Sequence, residues 1–172
     1  MKRLTCLFVF SCSIMFIHAQ SLKKYAISNS GCSVYLFCEP AKFDVDLSED
    51  SSTVYTSECM KDSVTYGIIC IKLLNPVTNL TNAEDLAISY LDYLKLNFEI
   101  KSSVGYGRGN MLGNNEKTRG ITDYREDKEK NKWKVKTWTD GKFIGVLYAH
   151  SRKELPETKA DTFLNSFRFP GM

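Results

Sequence analysis

The stretch that decides the fold runs from Lys132 to His150 and reads KWKVKTWTDGKFIGVLYAH. Apolar and polar residues alternate on both sides of its Asp-Gly pair, which is a strong signal for a β-hairpin. A two-residue turn would place Thr139 opposite Lys142. One face would then be a core face, which a slip of one residue would expose entirely. That face consists of Trp133, Val135, Thr137, Ile144, Val146 and Tyr148.

The opposite face of the hairpin mixes lysines with large apolar side chains. We take it as a candidate binding face, made of Lys132, Lys134, Lys136, Trp138 and Phe143. Alternating cations and aromatic rings can hold an anionic polymer, a lipid headgroup or an acidic protein. The alternatives are a face partly covered by a helix and an ordinary exposed strand face, where lysines discourage edge aggregation.

Other segments predict further strands around this hairpin, because they are rich in β-branched and aromatic residues and end at turn residues. These segments are residues 31–39, 53–59, 64–74 and 121–126. We therefore expect an α+β fold, in which helices flank a central antiparallel sheet of about six strands.

Two helices are predicted. The first follows Thr81-Asn82-Ala83-Glu84, which has the form of a capping box. Its apolar face recurs at four-residue steps, at Leu86, Tyr90, Leu94 and Phe98. The second helix is shorter and is expected to run from Pro156 to Phe167.

The order of these elements resembles the PsbP/MOG-type fold, and in particular its small secreted bacterial members, whose functions are mostly unassigned. The matching pieces are the strand from Gly31 to Pro40, the mid-chain helix, the Leu112-Gly113 turn and the closing run ADTFLNSFRF at residues 160–169. None of these pieces is a catalytic signature. The resemblance implies an αβα sandwich with a central antiparallel sheet, and it implies no enzyme activity.

The first nineteen residues have the three parts of a secretory signal peptide. Lys2 and Arg3 give a positive start, an uncharged apolar run follows, and Ala19 offers a small residue for cleavage. Cleavage would leave residues 20–172 as a single α+β domain in a secreted or periplasmic location. A lipoprotein acylated at Cys12 is the alternative.

The composition is that of a folded globular protein. Of the 172 residues, 43% are hydrophobic, 25% charged and 12% aromatic, which excludes a disordered tail, a collagen-like fibre and a coiled coil. No later apolar run reaches the roughly 18 residues of a membrane span. Loss of the signal would leave 21 of the 23 basic residues against 20 acidic ones. This near balance gives no reason to expect a nucleic-acid partner.

Four cysteines follow the signal: Cys32, Cys38, Cys59 and Cys70. An even number in an oxidising compartment predicts disulfides. Cys32 and Cys38 would lie roughly 20 Å apart in one strand, too far to bond to each other. Each is therefore expected to pair with Cys59 or Cys70, while free buried thiols are the alternative. Zinc is disfavoured because no Cys-x-x-Cys pair is present.

The residue types that catalysis and metal binding use are isolated from one another in the sequence. His150 would have to serve any Ser-His-Asp site, but it ends a strand and no Gly-x-Ser-x-Gly elbow precedes it. The glycine-rich run at residues 105–109 lacks dinucleotide-loop spacing and is expected to bend or bulge a strand. The acidic residues Asp44, Asp46, Glu49 and Asp50 lack the EF-hand pattern and predict a solvated loop.

The expected function is that of an exported, non-catalytic binding or accessory module with a protein or cell-envelope partner. One alternative is a small-ligand carrier with a pocket between sheet and helix, and the other is an exported hydrolase with an unrecognised site. No cofactor, metal or nucleic acid is expected. Asn79-Leu80-Thr81 would accept a glycan if the host glycosylates.

Overall fold

The structure, a computed structural model, describes residues 22–172. Its strands are β1 (Lys23–Ala26), β2 (Ser33–Leu36), β3 (Asp44–Leu47), β4 (Thr53–Lys61), β5 (Val64–Lys72), β6 (Ile100–Ser103), β7 (Gly107–Asn110), β8 (Arg119–Asp127), β9 (Lys132–Thr139) and β10 (Phe143–Ser151). Its helices are α1 (Leu80–Asn97) and α2 (Glu157–Leu164), with a short 3-10 turn at Leu112–Asn114. The predicted signal peptide and Cys12 lie outside the described residues.

Eight strands form one antiparallel sheet in the order β3-β4-β5-β10-β9-β8-β6, and β7 also pairs with β8. The predicted α+β class and antiparallel sheet are confirmed, but the prediction of about six strands was too low. The strands β3, β6 and β7 have four residues each. Strands of this length carry too little alternation to stand out in a sequence.

A separate two-stranded ribbon is formed by β1 and β2. The predicted strand at residues 31–39 is therefore only partly extended, and its pairing with β1 was missed. An antiparallel bridge between Ser33 and Arg168 ties the ribbon to the segment after α2. The N-terminal and C-terminal parts of the described chain thus pack together.

The β9–β10 hairpin is present, but its register differs from the predicted one. Thr139 pairs with Ile144 rather than with Lys142. The carboxylate of Asp140 accepts the backbone N–H groups of Lys142 and Phe143, both at 2.9 Å, and this local bonding favours a longer connection. Because the shift is two residues, every side chain keeps its predicted face.

The N-cap of α1 lies two residues before the Thr81 that the capping box predicted. The side chain of Asn79 accepts the N–H groups of Thr81 and Asn82 at 2.9 and 3.1 Å, and so it is the N-cap. Glu84 does not close a capping box; it is buried and accepts the N–H of Gly109 at 3.3 Å. The buried stripe of α1 also includes Ala83, Ala87, Leu91 and Leu94.

The second helix follows Pro156, as predicted, but ends at Leu164 rather than at Phe167. The glycine-rich run supplies β7, whose register on β8 shifts between Gly107 and Asn110. That irregularity agrees with the predicted bend or bulge.

Each face of the sheet is covered by one helix. On the α1 face, α1 packs mainly on β8 and β9, over a core that includes Trp133, Val135, Ile144, Val146 and Tyr148. On the α2 face, α2 and the β1–β2 ribbon cover a core that includes Trp138, Leu147, Phe163 and Phe167. Because α1 lies to one side, it does not cover the α1 face of β3, β4 and β5. This offset creates the candidate site.

Candidate functional site

Most of the candidate binding face of the hairpin lies beneath α2. Trp138 is 1% exposed, and its indole N–H donates to the backbone carbonyl of Leu164 at 2.8 Å. Phe143 is 7% exposed and belongs to the same core. Both rings therefore contribute to core packing, and a partner would meet them only if α2 moved.

Lys134, on the same face, is also enclosed. Its side chain is 4% exposed, and its ammonium contacts Glu157 at 2.7 Å and Asp161 at 2.9 Å. Burial lowers the pKa of Lys134, but the hydrogen bonds to Asp161 and Glu157 outweigh it and hold the pKa above its ordinary value. Lys134 thus fastens α2 to the sheet as a cation.

The two other lysines of this face are closer to solvent. Lys136 donates to Asn165 at 2.9 Å, and its ammonium lies 4.6 Å from the centre of the Trp138 ring. Burial lowers the pKa of Lys136. Lys132 is exposed and pairs with Glu126 on the neighbouring strand. The five residues share a face, as expected, but most of that face supports α2.

Two of the four candidate cysteines are bonded in the structure. Cys38 and Cys59 form a disulfide that joins the segment after β2 to β4. Cys32 and Cys70 carry free thiols and are buried. Cys38 is thus bonded to one of its two expected partners, whereas the expected bond from Cys32 to Cys59 or Cys70 is not formed in the structure.

His150 lies in a row of stacked rings on the α1 face. Its ring is 4.1 Å from that of Trp133 with an interplanar angle of 14°, and Trp133 stacks in turn on Phe98 at 5.0 Å. Burial lowers the pKa of His150, while Glu58 and Asp127 offset part of this effect. The imidazole therefore stands beside the rings of Trp133 and Tyr148 as part of an aromatic stack.

A groove of about 1130 Å³, open to solvent, lies between α1 and the uncovered outer strands. Its floor comes from the α1 face of β4, β5 and β10 and includes Val54, Ile69, Ile71 and Ile144. Its wall is one side of α1 and includes Leu86, Tyr90, Tyr93 and Leu94. The groove therefore offers an apolar floor and a partly aromatic wall.

Carboxylates concentrate around this groove. Five of the residues that line the groove are acidic, and we call them the acidic rim: Asp44, Asp46, Glu49, Asp50 and Glu58. Among the described residues, Lys42 is the one lysine that lines the groove. Hydrogen bonds from Ser48 and Ser52 lower the pKa of Asp50. Five carboxylates beside one lysine make this a site that favours a cationic ligand.

Tyr148 and Glu58 meet inside the groove. The Tyr148 hydroxyl donates a hydrogen bond to the Glu58 carboxylate. Burial and this hydrogen bond raise the pKa of Tyr148, so the phenol remains a neutral donor at neutral pH. The pair places a hydrogen-bonded carboxylate beside the apolar floor.

The sequence contained part of the signal for this groove. Part of the apolar face predicted for α1 is not packed against the sheet. Leu86 remains 39% exposed, and the neighbouring Tyr93 is 57% exposed. Asp44 and Asp46, assigned to a solvated loop, lie in the edge strand β3 and pair with Thr56 and Val54 of the groove. That the exposed side of α1 and the acidic residues of β3 line the same groove follows only from where α1 lies on the sheet.

The described residues contain neither a cluster of metal ligands nor a membrane-spanning helix. Within residues 22–172, no three His, Cys, Asp or Glu side chains form a group that could hold a metal ion. In the same range, neither helix has the length and apolar character needed to cross a membrane. The glycan acceptor Asn79 is exposed at the start of α1, and its modification stays a prediction.

No protein-family model matches the chain, and no curated protein matches it. A function therefore cannot be carried over from a relative. The groove, with its apolar floor and acidic rim, is the feature from which a function can be argued.

Proposed function

We propose that this protein is a non-catalytic binding module that holds an extended segment of a partner protein in the groove beside α1. The observation that carries the proposal is the union of an apolar floor and an acidic rim in one open groove of about 1130 Å³. Burial of apolar area would drive binding, and the part of this free energy that exceeds the cost of ordering the two partners would appear as affinity. The carboxylates would favour lysine or arginine in the partner and speed its encounter.

The position of β3 supports an extended protein segment as the occupant. β3 is an edge strand, so its outer backbone groups are paired with no other strand of the described chain. A peptide can add to such an edge through main-chain hydrogen bonds. Asp44 and Asp46 lie on the groove side of β3, where they would meet alternate side chains of that peptide.

The test uses two fluorescent peptides of equal length, one alternating lysine with leucine and one alternating glutamate with leucine. We expect the lysine peptide to bind the full protein, with NMR shift changes confined to the groove, and the glutamate peptide to bind weakly. The double substitution Asp44→Lys with Asp46→Lys should weaken the lysine peptide about tenfold or more, equivalent to about 1.4 kcal/mol.

The matched control reverses two exposed carboxylates outside the groove, Glu116→Lys with Glu154→Lys. It changes the net charge equally and should leave binding unchanged. Equal weakening in both double variants, or no binding of the lysine peptide to the natural protein, would contradict the proposal.

A second pair of variants tests the groove by its shape. Ser89 lines the groove, and its hydroxyl donates to the carbonyl four residues earlier in α1. Thr162 makes the same bond in α2. Ser89→Trp should fill the groove and abolish peptide binding, whereas Thr162→Trp should bind like the natural protein.

A small-ligand carrier is a second candidate, because the groove lies between sheet and helix and has an apolar floor. A carrier should bind the neutral apolar dye N-phenyl-1-naphthylamine whether or not Asp44 and Asp46 are reversed. The peptide-binding module should instead show a preference for cationic peptides that depends on the rim. Tight dye binding together with indifference to peptide charge would favour the carrier.

Export and fold type complete the proposal. The Cys38–Cys59 disulfide is compatible with an extracytoplasmic location. If the first nineteen residues are a signal peptide, the mature protein should begin at Gln20, and N-terminal mass spectrometry of the native protein checks this.

We also keep the PsbP/MOG-like sandwich as a proposal, supported by the placement of α1 and α2 on opposite faces of an antiparallel sheet.

A further inference from the structure

Two buried thiols on the α2 face are left without a covalent partner. Cys32 is 2% exposed and immediately precedes β2, whereas Cys70 is fully buried in β5. Both belong to the same core cluster beneath the ribbon. They therefore stand where the ribbon meets the sheet.

The turn before β2 directs Cys32 toward the sheet. The N–H of Ile27 donates to the carbonyl of Cys32 at 2.9 Å, which closes the turn. The hydroxyl of Ser30 donates to the carbonyl of Ile27 at 2.7 Å and accepts the N–H of Cys32 at 3.0 Å. Cys70 pairs in the ladder with Tyr55, whose hydroxyl donates to the side chain of Asn29 in this turn at 3.0 Å. Cys32 and Cys70 are both buried in the cluster that also holds Tyr55, so the turn meets β5 at this point of the core.

The neighbouring disulfide already fixes the same ribbon to the same side of the sheet. Cys59 lies on β4 and pairs in the ladder with Tyr66 of β5, while Cys70 lies further along β5 opposite Tyr55. Cys38 follows β2 and Cys32 precedes it. The two cysteine pairs therefore flank β2, one at each end.

We propose that Cys32 and Cys70 form a second disulfide in the native protein, so that β2 is crosslinked to the sheet at both ends. The free thiols of the structure correspond to the reduced form of this pair. The bond would close a longer loop than the 21-residue separation of Cys38–Cys59, and longer loops restrict the unfolded chain more strongly.

The bond would form by thiol–disulfide exchange with a small-molecule or protein disulfide. One cysteine thiolate attacks the disulfide of the oxidant, which releases one of its thiols and forms a mixed disulfide. The second cysteine thiolate then attacks the mixed disulfide, forms the Cys32–Cys70 bond and releases the other thiol of the oxidant. The two cysteines lose two protons and two electrons in total, and the oxidant is reduced to two thiols. No other co-reactant is needed.

The exchange has to take place before the ribbon packs on the sheet. Both sulfur atoms are buried in the folded chain, and an oxidant could not reach them there. Contact with Cys32 and burial also raise the pKa of Cys70 well above its ordinary value, which removes the thiolate that exchange requires. A chain folded in the reduced state should consequently resist both oxidation and alkylation at these positions.

The test traps thiols in the full protein purified from its own host. The protein is unfolded in guanidinium chloride with N-ethylmaleimide and no reductant, and its peptides are mapped by mass spectrometry. We expect no maleimide on any of the four cysteines and a linked peptide that joins Cys32 to Cys70. Maleimide on both of these cysteines would overturn the proposal, as would a linkage of either one to Cys38 or Cys59.

Two double variants separate the bonds from each other. Cys38→Ser with Cys59→Ser should retain the Cys32–Cys70 linked peptide, which shows that this bond forms independently. Cys32→Ser with Cys70→Ser should retain the other bond and unfold at a lower guanidinium concentration than the natural protein without reductant. Should the second variant fail to fold, the peptide map of the natural protein still decides the question.

Discussion

The hydroxyl of Tyr148 donates a hydrogen bond to the carboxylate of Glu58. The two residues belong to strands on either side of β5, and both pair in the ladder with Gly67. The ring of Tyr148 lies across Gly67 so closely that a Cβ there would fall 2.1 Å from the ring carbon Cζ. The missing side chain of one residue therefore shapes this part of the groove.

Replacement of Gly67 by alanine should destabilise the fold by about 1–3 kcal/mol, the usual range for an overpacked core. The Tyr148 ring cannot easily move away, because Phe98 and Trp133 lie 5.0 and 5.4 Å from it. Denaturant unfolding measures the loss. Gly107→Ala is the control, since a Cβ there would have ordinary contacts, the nearest at 3.6 Å. Equal stability of the two variants would show that the ring is not confined.

The attachment of α2 gives a second prediction. Lys134→Met removes a cation that is 4% exposed and contacts two carboxylates of α2. Because those carboxylates are themselves half-exposed or more, we expect a loss of about 1–3 kcal/mol, less than for a fully buried pair. Hydrogen exchange should also accelerate in α2.

The matched control for Lys134 is Lys132→Met, because Lys132 pairs with Glu126 at the surface with its own side chain 58% exposed. This variant should change the unfolding free energy by less than about 1 kcal/mol. If the two lysine variants were equally stable and exchanged equally fast, Lys134 would have no special part in holding α2.

Much of the fold followed from simple periodicity. Alternation around Asp140 and Gly141 placed every hairpin side chain on its correct face, although Thr139 pairs with Ile144 and not with Lys142. The backbone N–H groups of Lys142 and Phe143 donate to the Asp140 carboxylate, and these bonds account for the difference. Such local side-chain bonding competes with turn rules and is not visible in a pattern of polar and apolar residues.

The groove could be predicted less well than the fold. Period-2 and period-3.6 patterns report which side of an element is apolar, but they do not report where a helix lies across a sheet. The exposed Leu86 of α1 and the rim residue Asp44 belong to one groove only because α1 lies over β8 and β9. The candidate binding face was predicted to be available to a partner, but most of its residues pack against α2.

A buried ion pair beneath α1 gives a third prediction. The side chains of Asp123 and Arg125 are both fully buried and meet at 2.7 Å, and Arg125 also donates to the carbonyl of Leu91 at 3.2 Å. Arg125→Met should destabilise the protein by about 3–5 kcal/mol, because it leaves a buried carboxylate without its cation. Guanidinium unfolding measures the effect.

The double variant Asp123→Asn with Arg125→Met separates the stranded charge from lost packing. Asparagine keeps an oxygen for the hydroxyl of Ser103 and the N–H of Gly105, which the carboxylate now accepts. The double variant should therefore be more stable than Arg125→Met alone. If it were equally or less stable, the cost of the single change would lie in packing and not in the uncompensated charge.

The stacked imidazole of His150 predicts how stability depends on pH. Burial lowers its pKa below the ordinary value of 6.5, so the unfolded chain takes up a proton at a higher pH than the folded chain does. Stability should therefore be lost as the pH falls from above 6.5 through the folded pKa. Carboxylates with lowered pKa, such as Asp50 and Asp127, act separately, in a more acidic range near and below their ordinary values.

His150→Phe keeps a ring against Trp133 but cannot be protonated, so it isolates this contribution. Urea unfolding between pH 8 and pH 5 should show a decline in the natural protein that is smaller in the variant, while both should lose stability in more acidic solution. Matching slopes in the two proteins would mean that Glu58 and Asp127, the carboxylates that face the imidazole, compensate its burial completely. The ring stack would then place no electrostatic cost on the folded state.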